Sequence, residues 1–152
     1  MPHIKPRYLN GQRGTGHHAS FDGIANHAVA ANDLVVAVGY DGDRIKWAKA
    51  DADDFTRMSG VMGIADHAAA TGERLRVVSH KLITGVNTLA STAAGYPVFL
   101  SDTAGGWLPS DTGTESIIVG SVLVDSETAG AVLLAPAHTV AAYDGAGDVK
   151  IA

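Results

Sequence analysis

Gly95–Trp107, "GYPVFLSDTAGGW", puts an apolar run, a turn built from Asp and Gly, and a second short run carrying a Trp into thirteen residues. Two short apolar runs around such a turn predict a β-hairpin. The same order occurs earlier. "DLVVAVGYDGDRIKWA" (Asp33–Ala48) again gives a β-branched run, an Asp-Gly turn and a short run with a Trp. Laid over each other, Val36 falls on Val98, 62 positions on, and Trp47 and Trp107 take equivalent places. A second pair follows: "VMGIADHAAATGERLRVV" lies over "IVGSVLVDSETAGAVLL", with Gly63 on Gly120, 57 positions on. Two offsets this close predict two related units of about 60 residues, a period that marks internal repeats.

Working outward, the chain from Asn32 on reads as short strands with turns every eight to twelve residues. "RLRVVS" and "KLITG" are strands with one wet face; Arg74 and Arg76 alternate with Leu75 and Val77, and these cations are a solvated face or a contact for an acidic neighbour. "DADDFTRM" is the best helix candidate, with Asp51 as cap and Asp53 and Asp54 at the helix start. "NTLASTAAG" predicts a helical turn before Gly95, and the tail an edge strand. The fold class is therefore mainly β, a small barrel or sandwich. Gly63 and Gly120 lie inside apolar strands, where a glycine marks a bulge, a sharp corner or a close backbone approach.

Residues 1–32 differ in composition. They are rich in Gly, His, Asn and Ala, and Lys5, Arg7 and Arg13 precede the first acid, Asp22. No periodicity marks an element, so residues 1–32 read as an extended N-terminal arm and 33–152 as a single β domain. The arm is either an ordinary terminus or a segment that orders on a partner's surface.

Composition excludes several classes. With 152 residues the chain can bury a real core. It has no cysteine, hence no disulfide, thiolate metal site or cysteine nucleophile. A formal net charge of −5 argues against general nucleic-acid binding. Only 18% of residues are charged, which favours a surface buried between subunits. No apolar run is long enough for a membrane helix, and "MPHIKPRYLN" lacks the apolar core of a secretory signal.

Chemistry-bearing patterns are weak. "GTGHHA" (Gly14–Ala19) has dinucleotide-loop spacing but no strand before it. His17 and His18 are adjacent, so their side chains diverge, with His3 and His27 nearby; they read as solvated arm histidines, with a metal on an oligomer axis as the alternative. His67, His80 and His138 are scattered. Asp51, Asp53 and Asp54 lack the continuation of a calcium loop, and no G-x-S-x-G elbow occurs. The reading is of a protein that acts by binding, not as an enzyme, with no cofactor, no metal and no catalytic residue. Trp47 and Trp107 are either core or rim packing or anchors of an interface.

"AGYPVFLSDTAGGW", then "IIVGSVLVD", then a Gly-led "AVLLAP" resemble the capsid decoration, or cement, proteins of tailed bacteriophages. Ala94, Gly95, Val98, Leu100 and Ser101, then Gly105 and Gly106, then Val119, Gly120 and Leu123 carry the likeness, which extends over residues 33–136. It implies a small tulip-like β-barrel with a flexible N-terminal arm, bound as a homotrimer to the outer surface of the expanded capsid and stabilising it. The partners implied are the major capsid protein and the chain itself, with no direct nucleic acid and no membrane. The implied location is the virion surface, after synthesis in the host cytoplasm. Lys5, Arg7 and Arg13 become candidate capsid contacts. The alternatives are another virion component, such as a tail or fibre β-domain, and a small β-barrel ligand-binding or enzymatic domain.

Overall fold

A computed structural model describes residues 20–151, apart from 59, 92, 112–113, 137, 140 and 144–148; of 138–151 it describes the backbone only. Five strands form the first unit: β1 (Ser20–Ala25), β2 (Leu34–Asp41), β3 (Arg44–Lys49), β4 (Gly60–Ala65) and β5 (Arg74–Val78). Five more form the second: β6 (Lys81–Val86), β7 (Pro97–Leu100), β8 (Trp107–Leu108), β9 (Ile118–Val124) and β10 (Gly130–Leu134). β11 (His138–Thr139) adds to the start of β4, which is the edge strand expected of the tail, and β12 (Ala141–Tyr143) pairs with β13 (Val149–Ile151).

The two units share one pairing plan. In the first, β2 and β3 form a hairpin, β2 pairs with β4, and β1 pairs with β5. In the second, β7 and β8 form a hairpin, β7 pairs with β9, and β6 pairs with β10. Even the register repeats: Val35 faces Gly63, and Val98 faces Gly120. That sets Val35, one residue from the Val36 expected, over Val98.

The units differ in closure. β1 also pairs with β3 in parallel, Gly23 opposite Ile45, and β4 with β5, so the first sheet closes into a five-stranded barrel. In the second unit the strand corresponding to β3 is β8, only two residues long, and β6 and β8 do not meet. That sheet stays a curled half-barrel. Packing supplies the reason. Val35, Trp47, Leu75 and Val77 fill the closed barrel from within. The hollow of the half-barrel is filled by the outside of the barrel: Leu34, Val36, Met62 and Ile64 pack against Val98, Leu100, Val122, Val132 and Leu134. Each such aliphatic side chain stabilises by about 1.5–3 kcal/mol when removed from water. The β7–β8 turn is tied to the barrel by backbone bonds from Leu34 N–H to the Gly105 carbonyl (2.9 Å) and from Gly105 N–H to the Ala50 carbonyl (2.7 Å).

Gly63 and Gly120 both mark close approaches. A Cβ on Gly63 would strike the Val77 side chain and the Val78 carbonyl; on Gly120 it would strike the Leu133 carbonyl. Both glycines let the central strand lie tight against the last strand of its unit.

Three expectations change. Residues 20–32 are part of the barrel: β1 lies between β3 and β5, and Val29 bridges Ala69. The composition of β1 hides this, because its inward residues Gly23 and Ala25 are small where the Trp47 ring takes the space. The helix expected at Asp51 is a single 3-10 turn, Phe55–Arg57, capped by Asp54, whose carboxylate accepts from Thr56 N–H (3.0 Å). Asp51 instead accepts from Asp53 N–H (3.2 Å), a local turn. The stretch before Gly95 forms turns, not a helix.

Candidate interaction surfaces

A repeat inside the first unit organises one region of the barrel. "GIANHAVA" (Gly23–Ala30) recurs as "GIADHAAA" (Gly63–Ala70), 40 positions on. The loops it forms are related as by a local two-fold axis, and their hydrogen bonds are reciprocal. Val29 N–H donates to the Ala69 carbonyl (2.9 Å) and Ala69 N–H to that of Val29 (3.1 Å). Asn32 N–H reaches the Ala65 carbonyl and Gly72 N–H that of Ala25, both at 2.8 Å. Asn32 and Gly72 both have positive φ, 72° and 81°, the conformation that turns each loop back into a strand.

The repeated histidines have matching jobs. His27 Nε2 accepts from Lys49 N–H (2.9 Å), and His67 Nε2 from Arg76 N–H (3.2 Å), while His67 Nδ1 donates to the Ala68 carbonyl (2.9 Å). Burial lowers the pKa of His27, helped by Arg57 and Lys49 and opposed by Asp33. His27 therefore serves as a neutral acceptor that ties its loop to β3. Beside His67, Arg74 pairs with Asp22 (2.8 Å), and Asp66 takes both Arg76 (3.0 Å) and Lys81 (3.7 Å). Arg74 and Arg76 thus line an exposed, ion-paired barrel face.

The second surface is a recess of about 590 Å³ where β2 bulges between Ala37 and Gly39. Val38, Tyr40, Lys46, Thr56 and Arg57 line it. Arg57 is engaged by Asp54 at 3.7 Å. Nearby, burial raises the Asp51 pKa, and the Thr56 hydroxyl and N–H lower that of Asp54.

The third surface is the convex side of the half-barrel. Leu82, Leu133, Ser121 and Pro97 stand opposite one another across four strands, all on the outer face, while Ile83, Val132 and Val122 point inward. Beyond them Phe99 faces Ile118 on one side and Leu108 on the other. A dent of about 330 Å³ on this side is lined by Tyr96, Pro97, Phe99, Pro109 and Asp111 among others.

The candidates named from sequence separate here. Lys5, Arg7, Arg13, His3, His17 and His18 lie outside the described residues. Trp47 is wholly buried inside the barrel, tilted against Phe21 with ring centroids 6.2 Å apart. Trp107 is partly exposed at the edge of the shared core. Among the described residues no three His, Asp or Glu side chains gather as metal ligands. The 40-residue repeat and the convex face went unread in the sequence. The first is visible by sliding the chain against itself by 40 positions, the second only once the strands have a register.

No known protein family and no curated protein matches the chain. Among solved structures, the chain is similar to the N base of the head fibre protein gp8.5 of bacteriophage phi29, with 14% identity and a TM-score of 0.47, over 80% of this chain and 98% of that one.

Proposed function

We propose that the chain is a structural protein of a tailed-phage particle that works through its surfaces, and more narrowly a decoration protein that seats on the outer face of the expanded capsid and stabilises it. The observation that supports this is where the motif residues fall. Val98, Leu100, Ser101, Gly105, Gly106, Val119 and Gly120 all build the second unit, as its β7–β9 pair and its tight turn. The unit that carries the resemblance is also the one with an apolar outer face, the feature a contact-making protein needs. Lys5, Arg7 and Arg13 are proposed as capsid contacts, and several copies around a symmetric ring add weak contacts into firm attachment.

Co-sedimentation with undecorated, expanded capsids tests this, comparing the full chain with one lacking residues 1–19. Saturable binding at hundreds of copies per particle, weakened by the truncation, is the expected result. Binding at only a few copies would move the chain to a tail or fibre, the kind of appendage named for the phi29 protein. No binding would remove the reading.

A further inference from the structure

We infer that the convex face of the half-barrel is the surface through which copies of this chain associate with one another. Charge carries the first step. In β6 to β10 the only charged residue is Lys81, and it is paired with Asp66 of the barrel. The five barrel strands hold seven charged residues, Asp22, Arg74 and Arg76 among them. One sheet of this protein is therefore dressed for water and the other is not.

Exposure carries the second. Leu82 and Ile118 are 55% and 60% exposed, and Tyr96 47%. Large apolar side chains left this open on one continuous sheet face mark an interaction site. Aromatic side chains such as Tyr96 and Phe99 are enriched in interface centres.

The occupant follows from complementarity. A face whose strands carry no free charge suits a partner face of the same kind, because a charged partner would lose hydration there; Asp111 in the lining of the dent is already engaged by the Ser116 hydroxyl. Among the described strands the matching surface in this chain is the same face. It also offers both shapes that a repeated contact needs: projecting Leu82 on β6 and, across β10 and β9, the dent between Tyr96, Pro97, Phe99 and Pro109. Knob and dent on different parts of one face let each copy give and receive, the arrangement that closes into a ring. The inference deepens the proposed function by naming the face between copies, and its test needs no capsid.

Sedimentation equilibrium of the full chain at micromolar concentration is the experiment. The expected wild-type mass is a small whole multiple of 15.6 kDa. Leu82→Lys with Ile118→Lys should give a monomer with unchanged circular dichroism. Ser121→Arg, which removes no apolar atom from the core, is the second variant and should do the same. Phe55→Lys and Val61→Lys, exposed apolar positions on the barrel side, should leave the oligomer intact. A monomeric wild type, whether the face serves a shell protein or the chain's own termini, overturns the inference, as does an oligomer indifferent to both face variants. An oligomer that fails to bind capsids leaves the inference standing and removes the function proposed above.

Discussion

The closed barrel and the half-barrel follow one pairing plan and reach opposite ends. The barrel surrounds its own core and carries its charges outward. The half-barrel cannot close, because β8 offers two residues where β3 offers six, and it takes the barrel as its core instead. A short strand thus turns a repeated unit from a container into a wrapper. It also fixes which surface stays apolar. The outer wall of the barrel is divided between the shared core and water, and the water-facing part holds the ion pairs of Arg74 and Arg76.

The largest effect that separates the units concerns their two tryptophans. Trp47→Ala should cost about 3–5 kcal/mol in urea unfolding. Trp107→Ala should cost roughly half as much, since part of its ring already meets solvent. Equal losses would mean that the barrel is no better closed than its partner.

Next come the shared corners. Gly63→Ala and Gly120→Ala each press a methyl into a neighbouring strand and should each cost about 1–3 kcal/mol, measured the same way. A costly Gly63→Ala with a neutral Gly120→Ala would show that only one unit has the tight corner.

Titration gives a smaller signature, confined to the barrel. The folded-state pKa of His27 is lowered from 6.5, so the unfolded chain takes up its proton first. Its contribution to stability is complete above about pH 6.5, declines as the pH falls below that, and is gone once the pH passes below the lowered folded value. His27→Gln should flatten this part of the curve of melting temperature against pH. A wild-type curve with no slope there would contradict the neutral-acceptor role.

The smallest effect belongs to the barrel surface. Tyr40→Lys should change stability by no more than about 0.5 kcal/mol, because Tyr40 is 66% exposed near the end of β2. A large loss would mean that the far end of the β2–β3 hairpin is a packed part of the barrel.

Much of the fold was legible where local chemistry and tertiary structure agree. Asp41-Gly42 makes the β2–β3 turn with φ of 69° at the glycine, and Asp102 to Gly106 makes its counterpart. Gly63 and Gly120 announced close contacts that the strands do make. What failed was legibility by bulk. β1 was hidden because Gly23 and Ala25 yield their volume to Trp47, a residue more than twenty positions away, so no local alternation survives. The acids at Asp51, Asp53 and Asp54 suggested a helix start, but Ala52 is pinned to the Ser101 carbonyl (3.0 Å), which leaves room for one turn only. Of the candidate surfaces, the ion-paired wet face of Arg74 and Arg76 could be read in advance. The convex face could not, because "PVFL" and "GAVLL" look like buried strands until the register shows which of their residues face outward.

The account rests on two units of one plan, one closed and one open, and interstrand nuclear Overhauser contacts in the labelled protein test it most directly. The prediction is paired contacts for Val35–Gly63 and Val98–Gly120, a parallel set for Gly23–Ile45 to Ala25–Trp47, and none between β6 and β8. A β6–β8 set, or a missing Val98–Gly120 pair, would contradict it.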